Sequence, residues 1–377
     1  MSRRTLILVV VAVLVVVVGV CFALRRKHRT EESSVRVGVA LPLTGDAAVY
    51  GKALRNGIEL ALSEENGKEP KLSLTYEDDQ GQGAQAVSAA RKLIDVEKVP
   101  VIIGGAMSAT AEAIIPICDS SKTVLLSPTA TKPSLPHKDG YFLRLWPSDN
   151  YDGKIMAETA YKKLGLRRIS ILYVNVAYGV GITDVFEREF QNLGGTIVSK
   201  EGYAQGATDF RTSLTKIKAS NPEAIYLPGY VAEVTQILKQ AKELGLKTRF
   251  LGVNSLYDPK LMEIAGAAAE GAVFTYPTFD TKADDQVVQR FVSAYKAKYG
   301  SEPDAFAAQG YDSLRVLRAA LDKSHLSPVT GSSILQALHS LGQFEGPSGK
   351  FAFDEQGDVE KPLRLLTVRD GKFVPFD

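Results

Sequence analysis

The chain has 377 residues, 45% hydrophobic and 23% charged, with 45 Lys and Arg against 43 Asp and Glu. That length exceeds one hydrophobic core and predicts two, and the composition excludes intrinsic disorder. Arg3, Arg4, Arg25, Arg26, Lys27 and Arg29 fall among the first thirty residues, which hold no acid; the remaining body, with 39 bases against 43 acids, carries no basic face for nucleic acid.

The first element is "TLILVVVAVLVVVVGVCFAL", residues 5–24, an uninterrupted apolar run of 20. A helix of that length spans a bilayer, and the run exceeds the roughly 7–15 residues of a signal-peptide core. A retained transmembrane anchor is the expectation. A lipoprotein reading competes through Cys21, although Val20 is bulky where a small residue precedes a lipidated cysteine. Basic residues lie on both sides of the run ("SRR", "RRKHR"), so charge leaves its orientation open. With Cys21 and Cys118 the only cysteines, there is no disulfide framework.

After the linker "RKHRTEESS", strands are predicted at 35–41, 71–78, 99–105 and 123–128, with helices at 52–66, 84–97 and 109–120 between them. This alternation predicts right-handed crossovers and a mainly parallel sheet. The pattern then restarts. "RRISILYVNVAYGVGITDVFEREFQNLGG" repeats the logic of "VRVGVALPLTGDAAVYGKALRNGIELALSEENG": a strand, a loop ending in Tyr-Gly (Tyr50-Gly51, Tyr178-Gly179), and an amphipathic helix closing at Gly. "NPEAIYLPG" mirrors "EKVPVIIGG" in the same way. Two similarly wound α/β domains follow, and since ligands sit beyond the carboxyl ends of such strands, two facing domains make a cleft. Beyond them come "GAVFTYP", helices at 285–299, 307–321 and 333–341, and the strands "KFAFD" and "RLLTVRDGKFV", which read as a hairpin about "EQGD".

Few catalytic patterns are present. "GQGAQA" at 81–86 fits a dinucleotide fingerprint, but "YEDDQ" separates it from its strand and it opens the second unit; a turn into a helix is the better reading. The four histidines (His28, His137, His325, His339) have neither an i,i+4 pairing nor a cysteine companion, which argues against zinc. Asp78 and Asp79 read as solvated loop acids. No cofactor is implied.

The stretch "VIIGGAMSATAEAIIPICDSSKTVLLSPTATKP" is different. Two apolar runs each end in small hydroxyl-rich patches, the first carrying Ser108 at a helix start, the second Thr129, Ala130 and Thr131 between Pro128 and Pro133. A serine and free amides at a helix N-terminus suit an anion, as does a second stiffened loop of donors beside it. Tyr50, Tyr178 and Tyr230 fall at corresponding loops, where their rings can cover an apolar ligand portion.

These residues, with "VRVGVALPLTG", "YGKALRNGIELAL", "SPTAT", "YGVG", "ATDFRTSLTKIKASNPEAIYLPGY", "EIAGAAAEGAVFTYP" and "FAAQGYDSLRVLRAAL" in that order, resemble the branched-chain amino-acid (leucine/isoleucine/valine) binding proteins of bacterial transporters. The resemblance covers residues 35–377. It implies the type I periplasmic-binding fold, two Rossmann-like lobes joined by three crossovers and closing on a ligand: 35–150 plus 278–352 as one lobe, 151–277 plus 353–377 as the other, after an anchor and linker at 1–34. It places α-carboxylate contacts on Ser108 and Thr131, an ammonium contact on the Thr129 carbonyl, and Tyr50, Tyr178 and Tyr230 on the pocket wall. It implies a non-enzymatic extracytoplasmic receptor partnered by ABC permease subunits; the anchor that the run at 5–24 predicts, which would hold it at the inner membrane, departs from the many relatives that are freely soluble. One position departs from the family: in "GVNS" Asn254 stands where an acid pairs with the ammonium, so the ligand is a carboxylate without an amine, an amide-like solute, or an amino acid whose ammonium meets Asp258 or Glu233. A membrane-tethered sensor of the same fold is the alternative to a transport receptor.

Overall fold

The structure, a computed structural model, describes residues 34–376 apart from Asn66, His137 and His325. The apolar run at 5–24 lies outside the described residues, among which no helix is long and apolar enough to cross a membrane.

The first half of the chain builds one parallel sheet. Its strands are β1 (Ser34–Leu41), β2 (Lys71–Asp78), β3 (Val101–Gly104), β4 (Val124–Ser127) and β5 (Phe142–Arg144), in the order β2-β1-β3-β4-β5. The connecting helices α1 (Ala48–Ser63), α2 (Gly83–Arg91) and α3 (Ser108–Ser121) leave no face of the middle strands open. The short runs of β3 and β4 are accordingly apolar throughout and wholly buried, as strands covered on both faces must be. Val37, Val39, Ile103 and Leu126 pack on one side with Leu54 and Ile58 of α1; Ile102 and Leu125 pack on the other with Ala90, Leu93 and Ile114.

The chain then crosses to a second sheet. Here α4 (Asp149–Glu158), β6 (Arg168–Val174), α5 (Ala177–Asn192), β7 (Thr196–Tyr203), α6 (Arg211–Ala219), β8 (Ala224–Leu227), α7 (Val231–Glu243), β9 (Arg249–Gly252) and β10 (Val273–Pro277) repeat the winding of the first half. After α8 (Gln286–Tyr299) the helices α9 (Ala305–Ser324) and α10 (Gly331–Ser340) return to the first core, where Leu314, Leu317, Leu321, Ile334 and Leu338 pack. A small hairpin, β11 (Phe344–Gly346) with β12 (Gly349–Phe351), precedes β13 (Leu363–Arg369) and β14 (Lys372–Pro375), which complete the second sheet in the order β14-β13-β10-β9-β8-β6-β7. This is the α/β two-lobed architecture expected, with three passages between lobes.

Two details correct the expectations. "KFAFD" and "RLLTVRDGKFV" are not a hairpin about "EQGD". Lys350 and Phe351 pair back with Glu345 and Phe344, while Leu366 to Arg369 pair with β14 across an Asp370-Gly371 turn whose two residues have φ of 52° and 67°. Both positive values suit an Asp-Gly pair, which is the stronger hairpin signal in this segment. The "EQGD" turn closes a single bridge, Phe353 to Val359, and both residues still pack in the first core. The last passage therefore lies beyond the expected boundary at 353, and the chain enters the second sheet at Leu363.

A polar network braces the passages. Gln309 of α9 donates from Nε2 to the Leu145 carbonyl (3.4 Å), and buried Lys361 donates to Gln309 Oε1 (3.3 Å) and Ser348 Oγ (2.8 Å). Burial pushes the Lys361 ammonium down to about 7.

A candidate ligand site between the lobes

Strands β3 and β4 are adjacent and in register, Ile103 opposite Leu126, so their carboxyl ends deliver both hydroxyl-rich loops to one place. The loops are tied together. Thr129 Oγ1 donates to the Ala106 carbonyl at 2.8 Å, and Ser127 Oγ to the Gly105 carbonyl at 2.8 Å. Fully buried Arg144 holds the second loop from below through the Lys132 carbonyl (2.9 Å) while pairing in two-pronged fashion with Asp358 of the "EQGD" turn.

Above these loops lies a cleft enclosing ≈ 460 Å³ of space, open solvent included. The first lobe contributes Tyr50, Met107, Ser108, Thr129 and Thr131, and the second Tyr178, Gly229, Tyr230, Asn254 and Ser255. Seven of the eight site residues expected from sequence therefore line it. Ala130 does not: its side chain is fully buried in the core beneath the sheet, and its N–H donates to Ser127 Oγ at 3.1 Å. Trp146, Phe306, Ala106, Met107, Gly229 and Ser255 complete the wall and were not anticipated. The single Trp of the chain, just past a strand end in "LRLWPSD", is a readable signal for a lining aromatic; Phe306 is hidden in a sequence that reads as an ordinary helix.

The aromatic side chains form a continuous arch. Tyr178 stacks on Tyr230 (centroids 5.6 Å apart), Tyr230 meets Tyr50 (6.1 Å), Tyr50 meets Phe306 (4.8 Å), and Phe306 stacks on Trp146 (5.3 Å). The lobes touch across it, where the Val231 N–H of the second lobe donates to Tyr50 Oη of the first at 3.2 Å. The Tyr-Gly repeat has a steric cause: a Cβ on Gly51 would meet the Pro42 carbonyl oxygen at 2.0 Å, and one on Gly179 the Val174 oxygen at 2.0 Å. Each helix start is thus seated directly on the preceding strand end, which carries the adjacent tyrosine into the cleft.

The field in the cavity favours an anion. Ser108 is the first residue of α3, Tyr178 the second of α5, Tyr230 the N-cap of α7 and Phe306 the second of α9. Four helix N-termini, each with unsatisfied amides and partial positive charge, abut one space. Ser108 Oγ accepts from the Thr131 N–H (3.3 Å) and the Lys132 N–H (3.2 Å), leaving its own proton to donate. Thr131 behaves differently from the expected carboxylate donor, because its hydroxyl donates to buried Asp149 at 2.8 Å. Tyr178 Oη and Ser255 Oγ, both buried and lining the cavity, have no hydrogen-bond partner among the described residues.

No lining residue among those described is charged. Glu233 and Asp258, the two acids considered for an ammonium, are not in the wall: Glu233 Oε1 accepts the Gly206 N–H (2.8 Å) and Asp258 Oδ1 the Lys260 N–H (2.8 Å). Asp79 is likewise not a solvated acid. It is fully buried, accepts the Gly81 N–H at 2.9 Å, and burial raises its carboxyl to about 6; it shapes the turn that "GQGAQA" forms ahead of α2. No group of three or more potential metal ligands occurs among the described residues.

Two Rossmann-like lobes, three passages and an anion-favouring cavity between strand ends define a two-lobed receptor for a small solute. Residues 34–372 match the family profile for periplasmic binding proteins. The Leu/Ile/Val-binding protein of Escherichia coli is 30% identical over 348 residues, 90% of this chain and 92% of that protein. Among solved structures, a leucine binding protein from Thermotoga maritima superposes with a TM-score of 0.84 at 33% identity, covering 91% of this chain and 98% of that one. A solute binding protein of an ABC transporter from Rhodopseudomonas palustris, in complex with 3,4-dihydroxy benzoic acid, superposes with a TM-score of 0.81 at 25% identity, covering 91% and 96%. This chain belongs to the periplasmic binding protein family, in its branched-chain amino-acid binding branch. It is a solute-binding protein and not an enzyme.

Proposed function

We propose that the chain is the extracytoplasmic receptor of an ABC importer, binding a small amino acid or related carboxylate between its lobes and presenting the closed form to permease subunits in the membrane. The observation that carries this reading is a cavity walled by both lobes, with a polarised Ser108 hydroxyl and four helix N-termini on one side and an aromatic arch on the other. A solute touching both lobes shifts the hinge equilibrium toward closure, because only the closed form offers it the second-lobe contacts of Tyr178, Tyr230 and Asn254. We assign the lobes to 35–150 plus 278–352 and to 151–277 plus 353–377, and the packing of Phe353 and Val359 against the first core supports starting that last segment after 359. The run at 5–24 anchors the receptor at the inner membrane with the lobes in the periplasm. The relatives named for leucine, isoleucine and valine support the amino-acid class.

A second reading is favoured by the uncharged wall: a ligand without an ammonium, as in the relative bound to 3,4-dihydroxy benzoic acid, taken up or sensed by a tethered protein. Calorimetric titration of the purified protein with aliphatic amino acids, their deaminated acids, their amides and benzoates separates the two. Ser108→Ala combined with Thr131→Ala is expected to abolish binding with the fold intact by circular dichroism; unchanged affinity would remove the head-group site from this cavity.

A further inference from the structure

The hydroxyls at the cavity floor have a fixed polarity. A hydroxyl has one proton and two acceptor sites. Ser108 Oγ already accepts twice, so it faces the cavity as a donor. Thr129 Oγ1 gives its proton to the Ala106 carbonyl and Thr131 Oγ1 to Asp149, so both can only accept. One donor beside two acceptors matches a carboxylate flanked by an ammonium. A carboxyl, the kind of group missing from position 254, sits one hydrogen bond behind the wall.

We propose that Asp149 is the specificity-determining residue of the site: from behind Thr131 it holds that hydroxyl as an acceptor and supplies, through it, the charge that offsets an α-ammonium. The inference rests on the receptor reading above and narrows its ligand to an α-amino acid. Asp149 belongs to the binding chemistry through Thr131 and does not itself line the cavity. Its backbone N–H also bonds the Thr131 carbonyl at 2.9 Å, so the two residues are locked in register. Around its carboxyl stand Asp152 on the same helix, Arg144 at the end of β5, Tyr178 of α5, Tyr226 of β8 and Tyr230. Arg144 is engaged by Asp358, the tyrosines are held neutral by burial, and Asp152 is bonded by Thr275 Oγ1 at 2.7 Å. Burial first, and the neighbouring Asp152 second, hold the Asp149 carboxyl well above the usual range. An ammonium arriving at Thr131 favours the ionised form, so amino-acid binding is expected to release a proton.

The test pairs α-amino acids with the same acids lacking the amine, leucine with 4-methylpentanoate first, titrated into the full chain and into Asp149→Asn and Thr131→Val. The wild type is expected to prefer the amino acid. Asp149→Asn is expected to lose at least tenfold in amino-acid affinity while holding the deaminated acid within about threefold, Thr131→Val is expected to lose at least tenfold in amino-acid affinity, and both are expected to lose the proton release, read from the dependence of binding heat on buffer ionisation enthalpy. Equal losses for both probes in Asp149→Asn, or none, would overturn the role of Asp149 while leaving the receptor reading in place. A wild type that binds both probes equally and releases no proton overturns it as well. If no pair binds the wild type, the receptor reading itself falls and takes this inference with it.

Discussion

Asp149 and Asp152 enter the sequence as "SDNYD", which reads as an ordinary helix start with acids in its first turn. Nothing in that string shows that both carboxyls end up buried, 2% and 5% exposed, beneath a ligand cavity. Burial raises the Asp152 carboxyl to about 6. A carboxyl raised in the folded state stabilises the protein fully below its unfolded value and loses that contribution as pH rises through the folded value. Stability without ligand is therefore expected to fall between about pH 4 and pH 6, the window set by the ordinary and raised values. Asp152→Asn, which keeps an oxygen for Thr275, is expected to flatten that slope and to gain about 2 kcal/mol at pH 7; urea melts across this range check it, and an unchanged slope would return the pair to ordinary surface-like behaviour. Ser108, Thr129, Tyr50, Tyr178 and Tyr230 were readable because small hydroxyls and tyrosines recur at strand ends. Trp146 and Phe306 were not placed, since an aromatic joins a cavity by tertiary packing that no local pattern records.

Elements were legible where one local rule decides them. β2 falls at 71–78 as its pattern predicts, and α3 begins at Ser108, one residue before the predicted start. The helix expected from 52 starts at Ala48, because Tyr50 belongs to its first turn and Gly51 lets that turn sit on Pro42. The "EQGD" segment misled because a turn between two strands looks like a hairpin, whereas Arg144, far away in sequence, fixes it against the first lobe. The seat of α5 gives an element-scale prediction. In Gly179→Ala the new methyl meets a backbone oxygen, so the helix must lift; a loss of about 1–3 kcal/mol is expected, with weaker ligand binding because Tyr178 moves with it. Denaturant unfolding and titration of the same variant test both parts, and a variant of wild-type stability would show that the helix start shifts freely.

For the whole molecule, the internal repeat announced two lobes, and the ordered set of motifs announced the family; the course of the last passage and the orientation of the lobes required the packing of α9, the Lys361 network and the small hairpin. The bond from Val231 to Tyr50 belongs to this scale. Neither partner is part of a solute, so on the proposed closure mechanism every ligand that draws the lobes together would obtain the same increment from it. Such a latch raises all affinities by a common factor and contributes nothing to choosing between them. Tyr50→Phe is therefore expected to weaken each ligand about three- to tenfold, the worth of one neutral hydrogen bond, with their ranking unchanged in parallel titrations; a changed ranking would mean that the tyrosine hydroxyl reads the solute. An unchanged ranking would mean that tightness and selectivity are set by separate parts of the receptor, and a lineage could then retune how long it retains its ligand without altering which ligand it accepts.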